Sequence, residues 1–492
     1  MNMIRYTSDI DDVIFFPNLV CVPSSPSKQI VQINHVLPDV IGDIPLQEAS
    51  LPEELKKDVA QQDNLNTIEG SKMDVVSDND KKADQPKDKY NFFFISFMVL
   101  GAGFHLPYNS FVAAVDYFEE AYKRKDMGFV VSSTNSYMVC ASVILNVVLV
   151  NKIKMHARIS FGYVAFMISL GGMAVLVALT KFKVVGHDFG LYFTIVATIF
   201  TGIGCGVQEA SYYGYSGMLP SRYTRAVMLG EAFSGLLVSI NRVITKLTIE
   251  NNLTNTIIFF ALSIIGEIAC IFLHRYIKQS SFVRFYEAQE QAVNLQSMTA
   301  TSFSPLIVKD QQSAWSSFKE GMRLRWTVTR KIWKLMIGIL NVYLVTNLLY
   351  PGVASIIKTS WPNGWLSVTL VFAFNAWDFG GTIATGLSYK MPDNILLLTG
   401  GLRWLMVPLL LMCVLPADPI IPGEGVPIIV MSILGFTTGY MGSTPMCAAS
   451  SQVALEEREM AGNLMTMCML LGLTLGSTSA MVLNTILGID NV

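Results

Sequence analysis

Glu231, Asp378 and Arg403 are charged side chains set in largely apolar stretches: AFSGLLVSI follows Glu231, FNAW precedes Asp378 and LLLTGGL precedes Arg403. A charge near the centre of a bilayer costs at least about 2.5–3.5 kcal/mol, so it is kept there for a partner, a wet cavity or a solute. The two acids could hold a cation. Arg403 reads as a structural charge that pairs with a neighbouring acid and locks helices together. Gln208 adds an amide at a similar depth, and Tyr108, Phe104, Tyr212 and Trp377 offer ring faces that attract an organic cation. For each ring, plain packing is the competing reading. His105 is the candidate pH-sensing group, because imidazole titrates near neutrality; its competing reading is a neutral, hydrogen-bonded helix residue.

These residues need helices to carry them. Of the 492 residues, 52% are hydrophobic and 15% charged, well below the share of about a quarter charged in soluble domains. Runs long enough to cross a hydrocarbon core of about 30 Å recur near 92–118, 129–150, 159–180, 191–217, 224–248 and 254–275. Five more follow near 331–356, 364–387, 394–414, 425–447 and 460–486. The spacing predicts an all-α membrane protein of about eleven crossings, six in 92–275 and five in 331–492. Residues 1–91 are acidic and rich in Ser, Pro and Gln, and read as a disordered cytosolic tail. The stretch 276–330, polar and ending in bases, reads as a cytosolic linker. Counting inward from cytosolic helix ends, Glu231, Asp378 and Arg403 fall about 10–15 Å deep, near one layer.

Orientation follows from the bases, which crowd cytosolic loops. Lys152, Lys154, Arg158, Arg222, Arg225, Lys390 and Arg458 share one side when the amino terminus is inside, and eleven crossings then leave the carboxyl end outside. Asn252-Leu253-Thr254 places a glycosylation sequon in an outer loop.

Several function classes drop out. No GxSxG, HExxH or P-loop stands in a suitable context, so no enzyme is expected. No Cys or His spacing suits a metal, and no cofactor is expected. The net charge of -2, with bases confined to short loops, argues against nucleic-acid partners. Transport of a small polar or cationic solute remains, beside a non-transporting membrane sensor or scaffold. Oligomeric state is left open.

LPYNSF (106–111), YYGYSGMLPSRYT (212–224), FNAWDF (374–379) and MAGNLMT (460–466) resemble the equilibrative nucleoside transporter family along the whole membrane portion. Tyr108 in place of a usual Trp and Glu231 in place of a neutral Gln resemble its plasma membrane monoamine transporter branch. The resemblance implies a 6+5, major-facilitator-like fold with alternating access around a central cavity at the plasma membrane. It implies further that Tyr108 lines that cavity, Gln208 bonds the solute and Glu231 sets cation preference. The solute would be an organic cation such as serotonin or dopamine, with adenosine as the alternative. The family's helix-8 acid is followed four residues later by a base; here that position is Thr382, which leaves Asp378 without it.

Overall fold

In a computed structural model the described residues are 86–486, with breaks at 125–126, 151, 182–185, 249–251, 290–291, 293–313, 353–356, 358–360, 362–364, 388–391, 415–420 and 422. Phe15–Phe16 and Leu19–Val20 are also described, as a short antiparallel pair. The rest of the expected tail lies outside the described residues.

The first crossing is bent rather than straight. Helices α1 (Phe92–Gly103) and α2 (Leu106–Ala113) meet at 41°. Pro107 explains the break: it has no N–H for the Gly103 carbonyl and its ring crowds that group. The run expected over 92–118 therefore continues as a third piece, α3 (Val115–Tyr122). Four long helices follow: α4 (Met127–Leu149), α5 (Met155–Lys181), α6 (His187–Met218) and α7 (Ser221–Thr248). The sixth crossing is α8 (Asn252–Gln279).

Residues 281–289 are helical again, and α9 begins at Ala314 and ends at Asn347. Helical structure therefore reaches into the 276–330 stretch from both sides. Polar residues do not stop a helix; they mark only where its surroundings change from lipid to water. The second half continues with α10 (Trp365–Ala384), then α11 (Asp393–Leu402), a 3-10 turn at Arg403–Leu405 and α12 (Met406–Leu411). Pro408 deprives the Trp404 carbonyl of its helical donor, which accounts for the tightened turn. Helices α13 (Gly425–Ala449) and α14 (Arg458–Ile486) complete the chain. Ten of the described helices are long and apolar enough to span a bilayer, and the bent pair makes eleven.

Before the first crossing, the Asp88 carboxylate accepts from the backbone N–H groups of Phe93 and Phe94 at 3.0 and 3.2 Å, and from the Tyr223 hydroxyl at 3.2 Å. It satisfies donors that a helix start leaves open. These residues belong to the compact unit that carries the helices.

The two groups of helices meet where α14 packs on α4 and α6, and α10 on α7. Hydrogen bonds between them gather at the end that carries the basic loops. Arg158 of α5 pairs with Glu459 of α14, while Asn146 of α4 donates to Asn463 of α14 at 2.7 Å. Arg325 donates to the carbonyls of Val147 and Val148 at 2.9 Å each, and Arg225 to that of Thr385 at 3.2 Å.

Candidate solute-binding site

Backbone-to-backbone contact sets the depth of Glu231. A Cβ on Gly230 would lie 1.9 Å from the Met98 carbonyl oxygen, and one on Gly101 would lie 2.3 Å from that of Val227. Only glycine lets α1 and α7 approach so closely. This crossing brings Glu231 beside the broken end of α1, where His105 Nε2 stands 3.9 Å from its carboxylate. Both side chains keep partial access to solvent, 25% for His105 and 17% for Glu231. Tyr213 of α6 donates its hydroxyl to the other carboxylate oxygen. Next along, Asn109 donates to Ser234 at 2.7 Å, and the Tyr108 hydroxyl is 3.5 Å from Ser132 Oγ.

A similar crossing places Asp378. A Cβ on Gly439 of α13 would lie 2.0 Å from the Asp378 carbonyl oxygen, so α10 and α13 also touch through backbone. Asn375, one turn earlier, donates to Ser239 of α7 at 2.7 Å, and Phe379 meets Phe233 with ring centroids 5.7 Å apart. The acids of the two halves therefore face one interface. Asp378 lies within Coulombic range of Glu231 and Arg403, yet it forms no ion pair among the described residues.

The other expected residues divide. Arg403, expected to pair with an acid, is instead held by neutral oxygens: it donates to the Val342 carbonyl at 2.9 Å and to Thr346 and Thr438 hydroxyls at 2.8 and 2.7 Å. It ties α9 to α13, with no carboxylate at bonding distance among the described residues. Gln208 is fully buried, and its amide donates to the Ile159 carbonyl at 3.3 Å. Tyr212 is fully buried too, bonded to Tyr163 at 2.7 Å and to His274 at 3.2 Å. Phe104, 1% exposed, stacks on Tyr212 at 6.2 Å. These three sit behind the site, in the packing of the first half. Trp377 is 51% exposed and edge-on to Phe436 at 6.2 Å. It projects about 100° round α10 from Asp378, out of the bundle.

Sequence reasoning missed the neutral members of the site. Asn109, Ser234, Ser239 and Asn375 look like ordinary helix residues one at a time. Their signal is periodic: Glu231, Ser234, Gly235 and Ser239 repeat at helical spacing along one face of α7.

Two helical groups in contact along one interface, with an acid from each beside it, define a multi-pass membrane transporter. The fold matches that of a major facilitator superfamily proton:xylose symporter with a TM-score of 0.55 at 13% identity, over 82% of this chain and 90% of the symporter. The chain belongs to the equilibrative nucleoside transporter family, whose nucleoside transporter model matches residues 194–485. It is 33% identical to equilibrative nucleoside transporter 4 of Danio rerio, over 80% of this chain and 84% of that protein. The Homo sapiens protein of the same name is 31% identical over 80% of this chain and 83% of its own length. Equilibrative nucleotide transporter 1 of Arabidopsis thaliana is 29% identical over 81% and 87%. Members of this family are transporters, so the expectation of no enzyme holds.

Proposed function

We propose that this transporter carries monoamine-like organic cations, such as serotonin or dopamine, down their electrochemical gradient by alternating access at the plasma membrane, without sodium. One observation carries the reading: Glu231 and Asp378 face the interface between the halves, and neither meets a Lys or Arg at ion-pair distance among the described residues. A carboxylate in a low-dielectric layer favours a nearby positive charge, and an ammonium group would supply it. Tyr108 then offers its ring to the aromatic part of the solute.

The basic end is assigned to the cytosol, with the amino terminus inside and the carboxyl terminus outside, by the excess of bases in its loops. The contacts of Arg158, Asn146, Arg325 and Arg225 then lie on the cytosolic side, and they would have to part for the solute to leave there. Equilibrative nucleoside uptake is the second reading, supported by the names of the relatives and by the amides Asn109 and Asn375, which suit hydroxyl groups.

Uptake of labelled serotonin and adenosine into proteoliposomes, with and without an imposed potential, separates the two. A cation feels about 2.3 kcal/mol per 100 mV, so inside-negative vesicles should accumulate serotonin several-fold faster, with sodium irrelevant. Adenosine uptake alone, indifferent to potential, would defeat the first reading.

A further inference from the structure

The bases at the end that joins the two halves fall into two groups. Some are occupied by the fold: Arg158 pairs with Glu459, Lys331 donates to the Glu457 carboxylate at 2.8 and 2.6 Å, and Arg325 and Arg225 donate to backbone carbonyls. Others, at the start of α9, are not. Lys319, Arg323 and Arg330 are exposed and meet no carboxylate among the described residues. Lys334, half-buried, donates only to the neutral amide oxygen of Asn394, at 3.1 Å.

Helical spacing aligns this second group. Lys319, Arg323, Trp326, Arg330, Trp333 and Lys334 fall within an arc of about 100° along about 23 Å of helix. Arg325, Val328, Ile332 and Leu335 make the buried face, and Arg325 is the residue that reaches α4. The stripe therefore points away from the first half. Its two indole rings are 60% and 47% exposed, and each lies beneath a cation: the Arg330 guanidinium is 5.4 Å from the Trp326 ring centroid, and the Lys334 ammonium 5.9 Å from that of Trp333. Ile337, 51% exposed, prolongs the stripe into the apolar part of the crossing.

Exposed Trp rings favour the headgroup level of a bilayer, and bases held at that level meet phosphate. We propose that this stripe binds an anionic phospholipid, with its phosphate between Arg323 and Arg330 and its acyl chains along Trp333 and Ile337. Bases without counter-charges favour an acidic headgroup over a neutral one. The apolar lower half favours a lipid over a soluble anion, which would leave Trp333 and Ile337 uncovered. Neither argument depends on the nature of the transported solute.

The full-length protein in detergent, supplied with equal amounts of phosphatidylglycerol and phosphatidylcholine of the same acyl chains, tests this by native mass spectrometry. It should retain at least fivefold more phosphatidylglycerol. Arg323→Gln with Arg330→Gln should remove that excess while the monodisperse peak in size-exclusion chromatography stays, because neither side chain holds the fold. Arg323→Lys with Arg330→Lys, which keeps the charges, should retain at least half of it. Lys152→Gln with Lys154→Gln removes the same charge from another exposed loop at the same end and should leave the excess unchanged. Equal retention of both lipids, or equal loss in the two Gln pairs, would overturn the proposal. So would displacement of the lipid by a tenfold excess of glycerol 3-phosphate or hexaglutamate, which would reassign the stripe to a soluble anion or to an acidic protein segment.

Discussion

Glu231 and Asp378 each lie on a helix that touches its neighbour backbone to backbone through a glycine, but they keep different company. Glu231 has a hydroxyl donor in Tyr213 and a ring nitrogen in His105. Among the described residues Asp378 has neither, and the guanidinium of its own half, Arg403, is occupied by hydroxyl and carbonyl oxygens. The first half therefore orients its acid with its own groups, and the second half leaves its acid to whatever enters. A fixed carboxylate selects by geometry, whereas an unsatisfied one selects by charge.

The largest effects come from breaking what the two sites share. Gly230→Leu and Gly439→Leu each add atoms where a Cβ alone would stand 1.9 or 2.0 Å from a backbone oxygen. Both should abolish folded protein, seen as loss of the monodisperse peak in size-exclusion chromatography. Gly401, with nothing within 4 Å of an added Cβ, should accept alanine without loss. A folded Gly230→Leu with normal uptake would show that the helices do not need this close contact.

Next come the acids themselves. Glu231→Gln keeps an oxygen for the Tyr213 hydroxyl and removes only the charge, so it should fold. Serotonin uptake should fall about tenfold or more, the equivalent of roughly 1.4 kcal/mol, with adenosine uptake much less affected; equal loss of both solutes would mean a structural role. Asp378→Asn should lower serotonin uptake less, because no donor among the described residues holds that carboxylate in place. Tyr213→Phe sharpens the contrast further by making Glu231 resemble Asp378. Hydrogen bonds to charged groups are worth about 1.5–3 kcal/mol, only part of which is expressed in binding, so a rise of a few-fold in KM for serotonin is expected with kcat little changed.

The sequence made the acids legible and hid their surroundings, for one reason. A charge in an apolar run departs so far from expectation that it is visible alone, and the runs themselves give the number and order of crossings by length. What a charge meets depends on helix rotation and on breaks. Pro107 and Pro408 were readable as residues, but the turn of His105 toward Glu231 and of Arg403 toward Thr346 and Thr438 follows from how the broken ends pack. Arg403 illustrates the limit: charge complementarity pairs it with an acid, while the crossing of α9 and α13 presents hydroxyls first. The contacts of Arg158 with Glu459 and of Asn146 with Asn463 span 301 and 317 residues, a separation that no local pattern encodes.

Asp88 supplies the smallest effect and a control for place. It is a third acid, outside the membrane, with two backbone N–H groups and the Tyr223 hydroxyl as donors. It is thus better satisfied than either cavity carboxylate. Losing a helix cap costs about 1 kcal/mol, so Asp88→Ala should lower the apparent melting temperature by a degree or two in a thermal-shift assay. The ratio of serotonin to adenosine uptake should not move, because this carboxylate never faces the solute. Were that ratio to fall as it is expected to in Glu231→Gln, loss of negative charge anywhere would suffice, and the placement of Glu231 and Asp378 at the interface would no longer support the proposed cation preference.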